Sequence, residues 1–228
     1  MSQTRANQPL RWVSYPASAL ADALSGPPGD TPLDLRHDAY GFGVHRVAPL
    51  ARDVGWNSAL FSPGQSHAAL QDASTGDDSW VMRAHERGGQ VLSAQIVHVK
   101  QVPAGEDVSY GGCYRTQTET TLALVAIGFA DGVPRLDPVG GWVEWSGHRL
   151  PIAGRIAMDQ LIVDAGSHTP AIGDRVTICG GAVPLAEWAT WSTRPVGLPG
   201  AGLGERVRVM EDIQRVAHRT LSPARPLP

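Results

Sequence analysis

The sequence predicts an α+β protein in which a mostly antiparallel β-barrel or sandwich follows a shorter α/β segment. From Gln90 onward, short apolar runs of strand length are separated by turn signals such as Gly140-Gly141 and Gly173-Asp174. Several short strands at this spacing are typical of a small barrel or sandwich. Before residue 78, strand-like and helix-like patterns alternate, which is typical of a parallel sheet.

The N-terminal segment is expected to contain three strands and two helices in βαβαβ order. Apolar positions predict strands at 12–15, 33–35 and 56–61 and helices at 17–24 and 44–54. Residues 62–78 are polar and contain Pro63-Gly64 and Gly76, so we expect a loop or linker there. We therefore assign residues 1–78 to a truncated α/β unit with its linker.

Residues 79–216 are assigned to one β-domain. Its strands are predicted at 91–102, 121–127, 142–145, 149–152, 161–164 and 175–179, with a short helix at 185–191. The tail 217–228 is rich in proline and arginine, and we expect it to be disordered.

The composition is that of an ordinary globular protein, with 42% hydrophobic residues, 18% charged residues and a formal net charge of −3. Scattered charges form no basic patch, so neither nucleic acid nor an anionic membrane is an expected partner. Cys113 and Cys179 have no metal-binding or redox spacing, and we predict no metal site. The polar residues 1–11 contain no apolar signal core, so a cytoplasmic location is expected.

Three motifs occur in a fixed order in the second part of the chain: Val108-Ser109-Tyr110-Gly111, Gly128-Phe129-Ala130-Asp131-Gly132 and Gly154-Arg155-Ile156-Ala157-Met158-Asp159-Gln160. Together they resemble the C-terminal β-domain of alanine racemases, which use pyridoxal phosphate (PLP) to interconvert L- and D-alanine. The resemblance implies a homodimer in which Tyr110 is an acid/base in the partner's site. It also implies that Met158, beside Asp159, contacts the substrate carboxylate through its backbone. The structural alternatives are a turn tyrosine at 110 and a strand-end turn with Met158 in the core.

The resemblance extends to Leu35-Arg36-His37-Asp38-Ala39-Tyr40-Gly41-Phe42-Gly43. In the family this segment begins after a strand with the Schiff-base lysine, and Arg36 stands in the place of that lysine. Tyr40 matches a tyrosine that hydrogen-bonds the PLP phosphate; the alternative is a half-buried aromatic residue that caps the first helix. A guanidinium stays protonated and cannot attack an aldehyde. Lys100 is the only lysine, and it is predicted to be exposed on a strand.

The family's TIM-type (β/α)₈ barrel takes about 250 residues, whereas here only residues 1–78 precede the β-domain. The resemblance therefore implies a barrel remnant, and the change at Arg36 argues against PLP binding by this chain. We favour a degenerate relative without autonomous racemase activity, acting as a binding or interaction domain for a small amino-acid ligand. Two alternatives are an active PLP-dependent alanine racemase, and a domain that supplies Tyr110 in trans to a full-length racemase.

Overall fold

The computed structural model describes residues 9–15, 17–25, 31–86, 90–136, 140–193 and 206–211. The predicted tail 217–228 lies outside these residues. The strands are β1 (Arg11–Tyr15), β2 (Leu33–Asp34), β3 (Ser58–Leu60), β4 (Gln71–Asp72), β5 (Val91–Val102), β6 (Asp107–Val108), β7 (Tyr114–Arg115), β8 (Thr120–Val125), β9 (Trp142–Trp145), β10 (His148–Pro151), β11 (Leu161–Asp164), β12 (Arg175–Cys179) and β13 (Arg208–Glu211). The helices are α1 (Ala17–Leu24), α2 (Arg36–Tyr40), α3 (Val44–Asp53), α4 (Ser79–Glu86) and α5 (Leu185–Ser192).

A large sheet contains eight of these strands, in the order β10-β9-β12-β5-β1-β13, with β8 pairing with both β5 and β11. The long strand β5 pairs with β1 and β12 in its first half and with β8 in its second half. Nearly all pairs are antiparallel, and apolar side chains from the curled sheet and α5 form one core: Val13, Ile96, Val125, Val163, Ile178 and Trp188 are among its members. This architecture confirms the predicted α+β fold class.

Strand β1 is in the predicted position but has different neighbours from those expected. It pairs antiparallel with β5 and parallel with β13, so it belongs to the large sheet rather than beside β2. All four residues from Trp12 to Tyr15 are buried. A strand covered on both faces needs a layer on each side and neighbours on both edges, and the large sheet supplies them.

A second, small sheet consists of the parallel strands β2-β3-β4. Strand β4 lies in the segment 62–78, which the sequence predicted as a loop, and both of its residues are exposed. Two exposed residues present no apolar alternation from which a strand could have been predicted. The outer edge of β2 is covered where the Asp34 N–H donates to the Asp77 carbonyl oxygen at 2.9 Å.

Helices α1, α3 and α4 pack with the small sheet around a second apolar core. The predicted face of α3 is buried through Val44, Val47 and Ala51. Helix α4 was not predicted, yet Trp80 is fully buried in this core, and its indole N–H donates to the Asp34 carbonyl oxygen at 2.9 Å. Among the residues described, no helix has the length and apolar character needed to cross a membrane.

Candidate functional site

The segment that follows β2 is a left-handed helical turn. His37, Asp38, Ala39 and Tyr40 all have φ between 54 and 56°. Left-handed helix costs roughly 1–2 kcal/mol per non-glycine residue, so the surrounding contacts must hold this turn in place. The His37 N–H donates to Ser62 Oγ at 2.8 Å, and the Val44 N–H donates to Asp38 Oδ1 at 2.9 Å. Backbone strain of this kind concentrates at functional sites.

Arg36, at the start of this turn, is bound by Asp34. The guanidinium Nε lies 3.1 and 3.0 Å from the two Asp34 carboxylate oxygens, and Nη2 lies 2.6 Å from Oδ2. The Arg36 backbone N–H also donates to Asp34 Oδ1, at 3.0 Å. The Asp34 side chain is 1% exposed, whereas that of Arg36 is about half exposed. The cation at the lysine position is therefore already neutralised within the chain.

Electrostatics at this strand end favour the charged pair. Burial acts to raise the pKa of Asp34, but the Arg36 hydrogen bonds and charge outweigh it and hold the pKa below its ordinary 3.8. The hydrogen bond to Asp34, and then the charge of that carboxylate, raise the pKa of Arg36. Burial first, and then the charge and hydrogen bonding of Asp34, raise the pKa of Tyr40 to about 12. The structure thus brings Arg36 and Tyr40 together around one carboxylate.

Asp34 was missed in the sequence, although a signal for it was present. Asp34 and Arg36 carry opposite charges two positions apart in the sequence. Tyr40 also connects the two parts of the chain, because the Gln90 side-chain amide donates to its carbonyl oxygen at 3.5 Å. Its ring meets the Trp80 ring edge-on, with 6.2 Å between centroids.

Met158 lies where two motif loops meet. The Phe129 N–H donates to the Ala157 carbonyl oxygen at 3.0 Å, and the Ala130 N–H donates to the Met158 carbonyl oxygen at 2.9 Å. A Cβ on Gly128 would lie 2.4 Å from both carbonyl oxygens, so only glycine permits this approach. The Met158 side chain is 57% exposed, outside the core that the structural alternative predicted.

A buried carboxylate fixes these loops to two arginines at or near the starts of β1 and β13. Asp131 is fully buried; its Oδ2 accepts the Gly128 N–H at 3.0 Å. Its Oδ1 accepts Arg11 Nη1 at 3.0 Å and Arg206 Nε at 3.1 Å. Arg206 also donates from Nη1 to Asp159 Oδ1 at 2.5 Å. Asp159 therefore acts as an ion-pair partner, and the hydrogen bond to it is the first cause that raises the pKa of Arg206.

Tyr110 lies on the loop after β6 and is 73% exposed. Ser109, at φ 67°, donates from Oγ to the Arg155 carbonyl oxygen at 3.0 Å, which pins the loop to the third motif. A Cβ on Gly154 would lie 2.3 Å from Ser109 Cβ. Within the part of the chain described, no hydrogen bond or ion pair joins Tyr110 to Arg36. The loop that carries Tyr110 is instead held, through Ser109, against Gly154 and Arg155 of the third motif.

The remaining residues near the motifs have packing roles. The Tyr114 hydroxyl donates to Asp164 Oδ2 at 2.7 Å, and burial, followed by this hydrogen bond, raises the pKa of Tyr114. The Arg135 guanidinium lies 4.0 Å from the centroid of the Phe129 ring. Lys100 is exposed on β5, as the sequence predicted. In the described ranges, no group of three or more His, Cys, Asp or Glu side chains could hold a metal ion.

Comparison with known proteins identifies the family. The family model for the alanine racemase C-terminal domain matches residues 90–209, which is more than half of the chain. The chain belongs to the alanine racemase family. It is 34% identical over 179 residues to the alanine racemase of Salinispora tropica, covering 74% of this chain and 48% of that protein. It is 49% identical over 92 residues to the enzyme of Desulfovibrio desulfuricans, covering 40% and 24%.

Solved racemase structures share the fold of this chain. The alanine racemase of Bartonella henselae with covalently bound pyridoxal phosphate superposes with a TM-score of 0.73 and 17% identity, over 90% of this chain and 100% of that chain. The enzyme of E. faecalis gives a TM-score of 0.72 at 14% identity, over 91% and 99%. By sequence, the chain spans about a quarter to a half of the length of the curated relatives it matches.

The residues at the end of β2 do not fit a covalently bound aldehyde cofactor. Covalent attachment requires a neutral amine. Arg36 offers a guanidinium instead, and its Nε and Nη2 already donate to the Asp34 carboxylate. Lys100 lies on β5 of the large sheet, paired with Leu122 of β8, not at the end of a strand of the small sheet. A non-covalent phosphate contact from Tyr40 would have to compete with the Asp34 carboxylate beside it.

Proposed function

We propose that this chain is an alanine-racemase-family protein without autonomous racemase activity, acting as a binding or interaction domain. The observation that carries the proposal is the ion pair of Arg36 with the buried Asp34, at the position matched to the family's lysine. An arginine side chain stays protonated at every cellular pH, so it cannot form a covalent bond with an aldehyde. The small parallel sheet of three strands also supplies only part of a barrel lining.

The direct test is an absorbance titration of the purified chain with PLP, together with an assay for conversion of L-alanine to D-alanine. We expect no protein-bound absorbance band and no D-alanine above the rate of free PLP. A full-length racemase at equal concentration is the positive control. Turnover by the wild-type chain alone would overturn the proposal and favour an active PLP-dependent alanine racemase.

A second candidate function is that the chain supplies Tyr110 in trans to a full-length racemase. The exposure of Tyr110 and the hydrogen bond from Ser109 on its loop to the Arg155 carbonyl oxygen favour this candidate. The Met158 side chain is also exposed. An acid/base residue presented outward needs a second molecule to provide the rest of the site.

Complementation tests this second candidate. A full-length racemase whose own tyrosine at the matching position is changed to phenylalanine is mixed with the wild-type chain or with Tyr110→Phe. Rescue of the racemase rate by the wild-type chain only is the expected result. Absence of co-purification and of any rate change would eliminate the trans function.

Self-association, a small amino-acid ligand and a cytoplasmic location complete the proposal. Tyr110 and Met158 are among the most exposed large apolar side chains of the described residues. Contiguous exposed apolar patches mark interaction surfaces, and the hydrogen bond from Ser109 to the Arg155 carbonyl oxygen connects the loops that carry these two side chains. Sedimentation velocity is expected to show a dimer, and a monomer at all concentrations would contradict that part of the proposal.

A further inference from the structure

We infer that Asp34 and Arg36 form a coupled pair, in which the buried carboxylate fixes a positive charge at position 36. Position 36 is therefore closed to covalent cofactor capture by two residues, not by the arginine alone. The inference rests on the proposed function, since it explains why this strand end holds no reactive amine. Asp34 therefore determines which side chains are tolerated at position 36.

The geometry requires a cation beside Asp34. The carboxylate is almost completely buried, and the Asp34 carbonyl oxygen accepts a hydrogen bond from the Trp80 indole. A buried carboxylate without a counter-ion is strongly destabilising. Arg36 provides that counter-ion through Nε, Nη2 and its backbone N–H. Removal of either partner therefore affects the other.

The same geometry controls the chemistry of a lysine placed at position 36. An opposite charge within about 4–6 Å favours the charged form of a group by about 1–3 pKa units. The amine of Arg36→Lys would be held as an ammonium ion by Asp34. The free amine needed to attack an aldehyde would then be about 10- to 1,000-fold scarcer than without that carboxylate. Restoring the lysine alone does not restore its reactivity.

The test compares Arg36→Lys with the double variant Asp34→Asn/Arg36→Lys. Asparagine retains an acceptor oxygen for the Arg36 backbone N–H and removes the charge. Each folded protein is incubated with PLP at one pH and reduced with borohydride, and peptide mapping measures the label on residue 36. We expect at least tenfold more label on residue 36 in the double variant. Label on Lys100, present in both proteins, is the internal control.

Equal labelling of residue 36 in the two variants, or no label in either, would overturn the inference. Circular dichroism establishes that each variant is folded.

A second measurement does not depend on PLP: unfolding of Asp34→Asn, Arg36→Gln and the double variant. Each substitution changes the unfolding equilibrium constant by some factor relative to the wild type. The factor for the double variant should be at least tenfold smaller than the product of the factors for the two single variants. Additive effects would also overturn it. Racemisation by the wild-type chain is a separate outcome and bears on the proposed function only.

Discussion

Replacing Asp131 with alanine tests how the site loops are anchored. Asp131 is fully buried and accepts hydrogen bonds from the Gly128 backbone, Arg11 and Arg206. The Arg11 side chain is only 11% exposed, and its Nε already lacks a partner. Without Asp131 this cation stays buried and uncompensated, and breaking a buried pair in this way costs about 3–5 kcal/mol.

The two arginines contribute unequally to that cost. Arg206 is about half exposed and keeps its bond to Asp159. The loss of its bond to Asp131 therefore costs as much stability as the loss of a surface ion pair, about 0–1 kcal/mol. Arg11 and the Gly128 N–H account for the rest. We expect Asp131→Ala to lower the free energy of unfolding by about 3–4 kcal/mol, and Asp131→Asn to lower it by less, because asparagine retains an acceptor for Gly128.

Urea unfolding followed by tryptophan fluorescence measures the effect, since Trp142, Trp145, Trp188 and Trp191 pack in or against the large-sheet core. Asp159→Ala is the matched control, because it removes the exposed partner of the same Arg206 and should cost no more than about 1 kcal/mol. If Asp131→Ala and Asp159→Ala unfold at the same urea concentration, the buried pair does not anchor the loops and the reasoning fails.

Three further predictions concern backbone strain and titration. Gly154→Ala should lower the thermal midpoint by more than Gly147→Ala, because both have positive φ but only the first Cβ meets Ser109; equal shifts would contradict this. His37→Gly should raise the free energy of unfolding by about 0.5 kcal/mol, because relief of a left-handed residue exceeds the entropy cost of glycine. A decrease would show that the turn is unstrained. In the wild type, the free energy of unfolding should fall between pH 10 and about 12, because Tyr40, like Tyr114, loses its proton at a lower pH in the unfolded chain than in the folded one; urea titrations of Tyr40→Phe should show a smaller fall.

Local sequence signals determined most of the secondary structure. The alternation at 91–102 and the apolar run at 121–127 predicted β5 and β8, and the apolar face at 44–54 predicted α3. Strand β4 was missed because both of its residues are exposed, and helix α4 was missed although Trp80, Val81 and Ala84 on it are buried. Such short elements are formed by tertiary contacts, not by local propensity.

Some of the site residues could likewise be predicted from the sequence, whereas the contacts between them could not. Motif order located Tyr110, Met158 and Asp159, and the position of Arg36 came from the segment around Tyr40. Their roles in this chain stay proposals. The bond of Arg206 to Asp131 could not be predicted, because those residues are 75 positions apart and no local pattern connects them.

The sequence by itself determined the family, the succession of strands and the presence of a permanent cation where a lysine was expected. Only the tertiary structure decided that β1 joins the large sheet, that Asp34 neutralises Arg36, and that Asp131 joins the motif loops to both ends of the chain. The physical reason is that strand formation depends on neighbouring residues, whereas burial, pairing and the effective charge of a side chain depend on groups that only folding brings near.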